Sequence, residues 1–292
     1  MALNIATFKT RAATAGVFVA VMLLGLLWNH WSFFILFSII HFGCWVEYQK
    51  LVCLIDKGYT AISPFHQYGV MLAGWCIMLY FTNDAFSIFG IQLRAIGWWL
   101  GLIAIFVLPI MEILFSRQLE IKNIAHSAFG LLYISLSLGL MMDLRCYGMI
   151  HKGGHIYFDF SGFVLPLGIF IALWINDTMA YLVGSFIGKT PFSKISPKKT
   201  WEGTIGGAIL CIGAVALLGW AIQLFTIINW IIIAAIVAFF GVLGDLFESK
   251  LKRLANVKDS GSIMPGHGGF LDRFDSLLLA APFVWLYVMI FM

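Results

Sequence analysis

The stretch Ile228-Asn229-Trp230-Ile231-Ile232-Ile233-Ala234-Ala235-Ile236-Val237-Ala238-Phe239-Phe240-Gly241-Val242-Leu243-Gly244-Asp245-Leu246-Phe247-Glu248-Ser249-Lys250-Leu251-Lys252-Arg253 begins as an apolar run and ends crowded with charge. Its apolar part matches the roughly 20 residues a helix needs to cross a bilayer. Working outward, similar runs lie at 12–28, 31–49, 67–82, 95–115, 124–142, 162–187, 203–226 and 273–292. The 292-residue chain is 61% hydrophobic and 11% charged, with a mean hydropathy of +0.95, beyond what soluble cores use. A backbone in hydrocarbon must satisfy its own hydrogen bonds, so each run is expected to be helical. The expected fold is all-α, a polytopic integral membrane protein of about nine transmembrane helices.

No repeat or linker divides the chain, and 1–292 reads as a single membrane domain. Residues 1–160 hold N-terminal spans of mainly structural role, and 161–292 form a catalytic half. The first span, preceded by Lys9 and Arg11, reads as a retained signal anchor. The N-terminus and the loops 50–66, 116–123, 188–202 and 250–273 hold fifteen Lys and Arg, against three on the other side: Arg94, Arg145 and Lys152. That asymmetry puts the N-terminus and the 245–275 cluster in the cytoplasm and the C-terminus outside. The net charge of +4 is mostly this topology signal, although cytoplasmic cations also attract lipid head groups and phosphates. Nucleic acid is not implied. Five scattered cysteines without a C-x-x-C pair read as buried hydrophobes. Glu47 and Glu112, near span ends, are expected to snorkel or to pair between helices. His151 and His155 read as part of a polar turn and not as a metal site. Trp pairs near span ends read as an interfacial belt.

Charges concentrated in so apolar a chain cost several kcal/mol unless paired, metal-bound or wet. On a helix, Asp245, Ser249, Lys252 and Arg253 project from one face as the chain leaves the membrane. Lys258-Asp259-Ser260-Gly261 through His267-Gly268-Gly269 is too rich in glycine to continue the helix, and reads as a loop whose backbone approaches a ligand closely. It leads into Asp272-Arg273-Phe274-Asp275, where free amides at a helix start favour an anion. If Asp272 and Asp275 meet Asp245, they form an oxygen-rich pocket suited to Mg²⁺. The bland alternative is that they cap the last helix or pair with Arg253 and Arg273. A second cluster, Ser196-Pro197-Lys198-Lys199-Thr200-Trp201-Glu202-Gly203, reads as a phosphate cradle at the start of the seventh span. Asp177 and Tyr181, one turn apart inside the sixth span, are functional candidates, while Gly184 and Gly188 have the spacing of close helix packing. Gly184 to Thr190 is one residue too short for a P-loop and follows no strand.

The pattern Ser249-x-Leu251-Lys252-Arg253-x4-Lys258-Asp259-x-Gly261-x2-Met264-Pro265-x-His267-Gly268-Gly269-x2-Asp272-Arg273-x-Asp275 resembles the signature of the phosphatidate cytidylyltransferases, or CDP-diglyceride synthases. Asp177-x2-Ala180-Tyr181-x2-Gly184 and the 196–203 segment also look like motifs of that family. The resemblance covers residues 176–292 strongly. It implies transfer of the cytidylyl group of CTP to phosphatidic acid at a bacterial inner membrane, with Mg²⁺, a monovalent cation such as K⁺ nearby, and a homodimer. On that reading Asp245 and Asp272 hold Mg²⁺ and Asp275 supports its shell. Lys252, Arg253, Lys258 and Arg273 bind nucleotide or lipid phosphate, with Lys198 and Lys199 approaching from the neighbouring loop. Ser196, Ser249 and Thr200 supply hydroxyls, and Gly268 and Gly269 belong to the loop at the substrate. His267 either donates to the leaving pyrophosphate or orders that loop. Two rival readings are a transporter or flippase, for which no inverted repeat is visible, and a CDP-alcohol phosphatidyltransferase, whose Asp-Gly-x2-Ala-Arg motif is absent.

Overall fold

The computed structural model describes residues 5–115, 120–147, 149–152, 155–158, 161–193, 195–262 and 268–292. Its helices are α1 (Ile5–Leu27), α2 (His30–Ile55), α3 (Pro64–Tyr80), α4 (Leu93–Phe115), α5 (Ile121–Gly130), α6 (Ser137–Cys146), α7 (Ser161–Ile187), α8 (Trp201–Ile222), α9 (Ile227–Leu254) and α10 (Leu271–Phe291). A π-helical turn at Leu131–Leu136 joins α5 to α6. Two antiparallel strand pairs, β1 (Ser87–Ile88) with β2 (Ile91–Gln92) and β3 (Met149–Lys152) with β4 (His155–Phe158), lie in loops between helices. The second pairs His151 with Ile156 and Lys152 with His155, so strands 149–152 and 155–158 lie within the stretch read as a polar turn.

Among the described residues, seven helical segments are long and apolar enough to span a bilayer: 30–55, 93–115, 121–146, 162–187, 201–222, 227–254 and 271–291. The protein is an all-α polytopic integral membrane protein. Of the two other expected spans, α3 is a helix of 17 residues, and α1 is a helix whose described apolar part is Thr14–Leu27. By packing, the chain divides into two compact units, one of residues up to 142 with 254–273, the other of 143–253 with 274–292. That division follows contacts and cuts across the 160/161 line drawn from the chemistry.

In the first unit Asn29 separates α1 from α2, its side chain accepting from Ser32 N at 2.7 Å while Ser32 Oγ accepts from Asn29 N. This reciprocal cap fixes the turn between the two helices. On α2, Trp45 donates its indole N–H to Ser135 in the π turn at 2.9 Å, and His41 lies 3.0 Å from the same hydroxyl. Gly97 lets α4 touch α3, since an added Cβ would stand 2.7 Å from Cys76 O. Glu112 does not snorkel: it is buried on α4, pairs with His66 Nδ1 at 3.1 Å and accepts from Ser63 at 3.2 Å.

The second unit is built on glycine contacts and ring stacking. A Cβ on Gly203 would stand 2.7 Å from Ala180 O, and one on Gly207 2.6 Å from Ala180 N, so α7 and α8 meet backbone to backbone. The small-residue spacing read at Gly184 is thus packing: Gly184 Cα is 2.9 Å from the place of that Gly203 Cβ. Phe240 on α9 stacks on Phe283 of α10 at 3.5 Å between centroids. Trp285 donates to Asp143 at 2.7 Å and Tyr287 to Asn229 at 2.9 Å, which gives half-buried polar edges of α10 their partners. All five cysteines are free, four of them buried, as expected of small hydrophobes.

Candidate active site

In the first unit the start of α10 is closed by a carboxylate that the sequence placed elsewhere. Glu47, on α2 and 5% exposed, accepts from Phe270 N at 2.9 Å through Oε1 and from Leu271 N at 2.8 Å through Oε2. Ser260 Oγ lies 2.7 Å from Glu47 Oε2 and 2.8 Å from Asp272 Oδ2. The same Asp272 oxygen accepts from Ser260 N at 2.9 Å and Gly269 N at 2.8 Å, and Asp272 N donates back to Ser260 Oγ at 3.3 Å. The amides expected to be free for an external anion are therefore taken: the anion at this helix start is Glu47. Of the two expected roles, snorkelling and pairing between helices, Glu47 takes the second, through the amides at the start of α10.

The glycines of this segment have a related cause. A Cβ on Gly261 or Gly269 would lie 2.1 or 2.2 Å from Glu47 Oε1, and one on Gly43 would lie 2.2 Å from the Phe270 ring. Gly268 takes φ +82°, and its Cβ would strike Asp272 Oδ2 at 2.5 Å. The backbone approaches a ligand-like group closely, as the sequence implied, but that group is the protein's own carboxylate. Lys258, Asp259 and Arg273 are exposed. His267 lies outside the described residues.

In the second unit Asp245 and Asp275 are brought together by Gly244. A Cβ there would stand 2.4 Å from Asp275 O and 3.0 Å from Ser276 Cα, so α9 and α10 touch just where both helices carry an acid. Asp275 is buried and feels the charges of Asp245, Asp177 and Lys252. Asp245 forms an ion pair with Lys199, whose charge also reaches Asp177 on α7. Lys252 pairs one helical turn back with Glu248, which is wholly buried. Ser249 is half-buried beside them, and Arg253 and Lys198 are exposed.

Lys199 is held by a tight turn. Lys199 N donates to Ser196 O at 3.1 Å, Phe192 N to Lys199 O at 2.7 Å, and Trp201 N to Thr190 O at 3.0 Å. Glu202 fastens the other side, accepting from Thr190 Oγ1 at 2.8 Å and from the amides of Lys189 and Thr190. Thr200 caps α8, accepting from Gly203 N at 3.2 Å, while Thr204 N donates to Thr200 O. These bonds correct the reading of the α8 start as a cradle of open amides: Trp201, Gly203 and Thr204 have donated theirs within the protein. What the turn offers outward is cationic side chains.

The donor set in the second unit suits a hard cation. Among the described residues no three His, Cys, Asp or Glu side chains converge closely enough to hold an ion by themselves. Mg²⁺ does not require that, since it keeps several waters and takes one or two carboxylates plus substrate phosphates. Asp177, Asp245 and Asp275 repel one another within apolar helices, so a divalent cation between carboxylates would relieve a cost that two lysines meet only in part.

The profile of the Cytidylyltransferase family matches residues 9–291, nearly the whole chain. The chain belongs to that family. Its relatives include the phosphatidate cytidylyltransferase of Bacillus subtilis, 31% identical over 223 residues that cover 76% of this chain and 77% of the relative. The phosphatidate cytidylyltransferase of Synechocystis is 41% identical over 135 residues, 44% of this chain and 45% of that one. Arabidopsis thaliana phosphatidate cytidylyltransferase 4, a chloroplast protein, is 36% identical over 204 residues, 63% of this chain and 51% of its own. The chain thus spans about half the length of the chloroplast relatives it matches. Family membership extends through the N-terminal half, where the motif reading had found only a span count.

Four participants escaped the motif reading: Glu47, Ser260, Glu248 and Gly244. An acid inside an apolar run was a signal for Glu47. Nothing local marked Gly244, whose role depends on a helix that follows it through a long loop.

Proposed function

We propose that the protein transfers the cytidylyl group of CTP to phosphatidic acid, giving CDP-diacylglycerol and pyrophosphate in phospholipid biosynthesis. The observation that carries the reading is the group Asp177, Asp245 and Asp275 with Lys199 and Lys252, gathered in one unit of a cytidylyltransferase-family chain. Relatives that bear the name phosphatidate cytidylyltransferase support the substrate pair. The chemistry would take place at the cytoplasmic face of a bacterial inner membrane, N-terminus in and C-terminus out, as the basic loops favour. A homodimer belongs to the same proposal, as does a monovalent cation such as K⁺.

In the reaction a phosphate oxygen of the lipid bonds to the α-phosphorus of CTP as the bond to the bridging oxygen breaks, and pyrophosphate departs with that electron pair. The attacking phosphate is anionic near neutral pH, its second pKa being about 6, so no general base is required. The protein's task is positioning and charge neutralisation. Asp245 and Asp275 would hold Mg²⁺, with Asp272, one turn before Asp275 on α10, as the third acid of the proposal. Bound Mg²⁺ would supply neutralising charge at phosphate oxygens.

Lys199 and Lys252 are already oriented by Asp245 and Glu248, so they meet an incoming triphosphate with little further ordering. Lys198, Arg253, Lys258 and Arg273 provide exposed cations for nucleotide or lipid phosphate, with Ser196, Ser249 and Thr200 as neutral donors. The apolar span surfaces keep the diacyl part of the lipid in the bilayer while its head group reacts. The test is incubation of purified protein with phosphatidic acid, CTP and Mg²⁺, followed by mass spectrometry of the lipid extract. CDP-diacylglycerol formed with equimolar pyrophosphate supports the reading, and its absence from folded protein removes it.

A further inference from the structure

We infer that Glu47 is a positioning residue: from α2 it fixes Ser260 and the 268–272 turn, and through Ser260 sets where the Asp272 carboxylate stands. Three features lead there. Both Glu47 oxygens receive backbone amides at the first turn of α10, where helix ends favour a negative charge. Ser260 Oγ sits between Glu47 Oε2 and Asp272 Oδ2, so one hydroxyl ties the two acids. Gly261 and Gly269 leave no room for a Cβ on either side of Glu47 Oε1, so the segment is shaped around a carboxylate at that spot.

General packing does not account for this. Among the described residues no Lys or Arg forms an ion pair with Glu47, and its charge is met by neutral donors and a helix end, an arrangement that works only with the segment in place. An apolar residue of similar size would fill the volume without the cost of burying a charge. The contact also spans 213 to 224 residues of sequence, which ties a helix of the N-terminal half to the acid-bearing turn.

The test uses Glu47→Gln, which keeps shape and removes one acceptor. Each oxygen faces an N–H, so an amide must turn its NH₂ toward a donor at one of the two sites. Hydrogen–deuterium exchange in the full-length detergent-solubilised protein should show the amides of Ser260 and 269–272 exchanging about a hundredfold faster in the variant, with the rest of the first unit unchanged. Since the catalytic part rests on the cytidylyl-transfer reading, the second arm is a cycle with Asp272→Asn. Alone, Glu47→Gln should lower kcat for CDP-diacylglycerol at least about tenfold and shift the KM for CTP less than about threefold. On the Asp272→Asn background it should add less than about twofold.

Losses that multiply in the double variant, or a segment that stays protected, would overturn the inference, as would faster exchange spread evenly through the unit. If the parent makes no CDP-diacylglycerol, the functional reading fails and the exchange pattern alone decides this one. Should Glu47→Gln not fold, Ser260→Ala removes the hydroxyl between the acids. It should give the same local exchange pattern at smaller amplitude and the same non-additivity with Asp272→Asn, and a full multiplicative loss would contradict the inference.

Discussion

The two packing units use carboxylates in opposite ways. In the first, Glu47 and Asp272 are surrounded by donors: backbone amides of Ser260, Gly269, Phe270 and Leu271 and one hydroxyl stand within hydrogen-bond reach. In the second, Asp177, Asp245 and Asp275 act on one another, and their compensation comes from the side chains of Lys199 and Lys252. A carboxylate ringed by neutral donors, as Glu47 is, has its energy invested in holding a loop. Carboxylates that face each other in an apolar setting are costly until a cation arrives. On the proposed function the cation belongs with the second group, while the first holds the loop that carries Asp272.

Breaking the second group should have the largest effect. Asp245→Asn or Asp275→Asn is expected to lower CDP-diacylglycerol formation by about three orders of magnitude, roughly 4 kcal/mol of transition-state stabilisation. Retention of more than a tenth of parental rate would dissolve the contrast. Next comes Lys252→Met, which breaks the ion pair with the buried Glu248 at a cost of about 3–5 kcal/mol. Thermal unfolding in detergent should drop sharply and recover in Glu248→Gln/Lys252→Met, while CTP turnover stays low in both. Recovered turnover in the double variant would reduce Lys252 to a partner of Glu248.

Gly244→Ala sharpens the same contrast by forcing α9 away from α10. With Asp275 O only 2.4 Å from the new methyl, about 1–3 kcal/mol of strain is expected, with at least a tenfold fall in rate. Unaltered kinetics would separate catalysis from the approach of those helices. The smallest effect belongs to Glu202→Gln. This exposed side chain ties down Lys189 and Thr190, and a change of about twofold or less in rate is expected on the surface. A loss comparable to Asp245→Asn would make the 189–200 turn part of the reacting centre.

Much of this was legible in the chain. Apolar runs of bilayer length located the helices because hydrocarbon leaves the backbone no other choice. Acids and bases concentrated near Asp245 and Asp275 stood out because the surrounding sequence tolerates so few. Local reading fell short where meaning came from a distant partner. The glycines at 261 and 269 looked like an opening for substrate, yet they accommodate Glu47 from more than two hundred residues away. The helix starts at Trp201 and Leu271 looked like anion sites because spacing reveals amides but not what has already accepted from them. Thr200 and Glu47 are those acceptors, and only a fold brings Glu47 to its place. The β3–β4 pair was missed for a related reason: its strands are short, and pairing between them, not composition, makes them strands.

The most direct test of the account is a product assay on purified parent and Asp245→Asn protein with phosphatidic acid, CTP and a Mg²⁺ titration, reading CDP-diacylglycerol by mass spectrometry. The account predicts Mg²⁺-dependent product from the parent and almost none from the variant at any Mg²⁺ concentration. Product from the variant at the parent's rate, or product from the parent that persists after chelation of divalent ions, would contradict it.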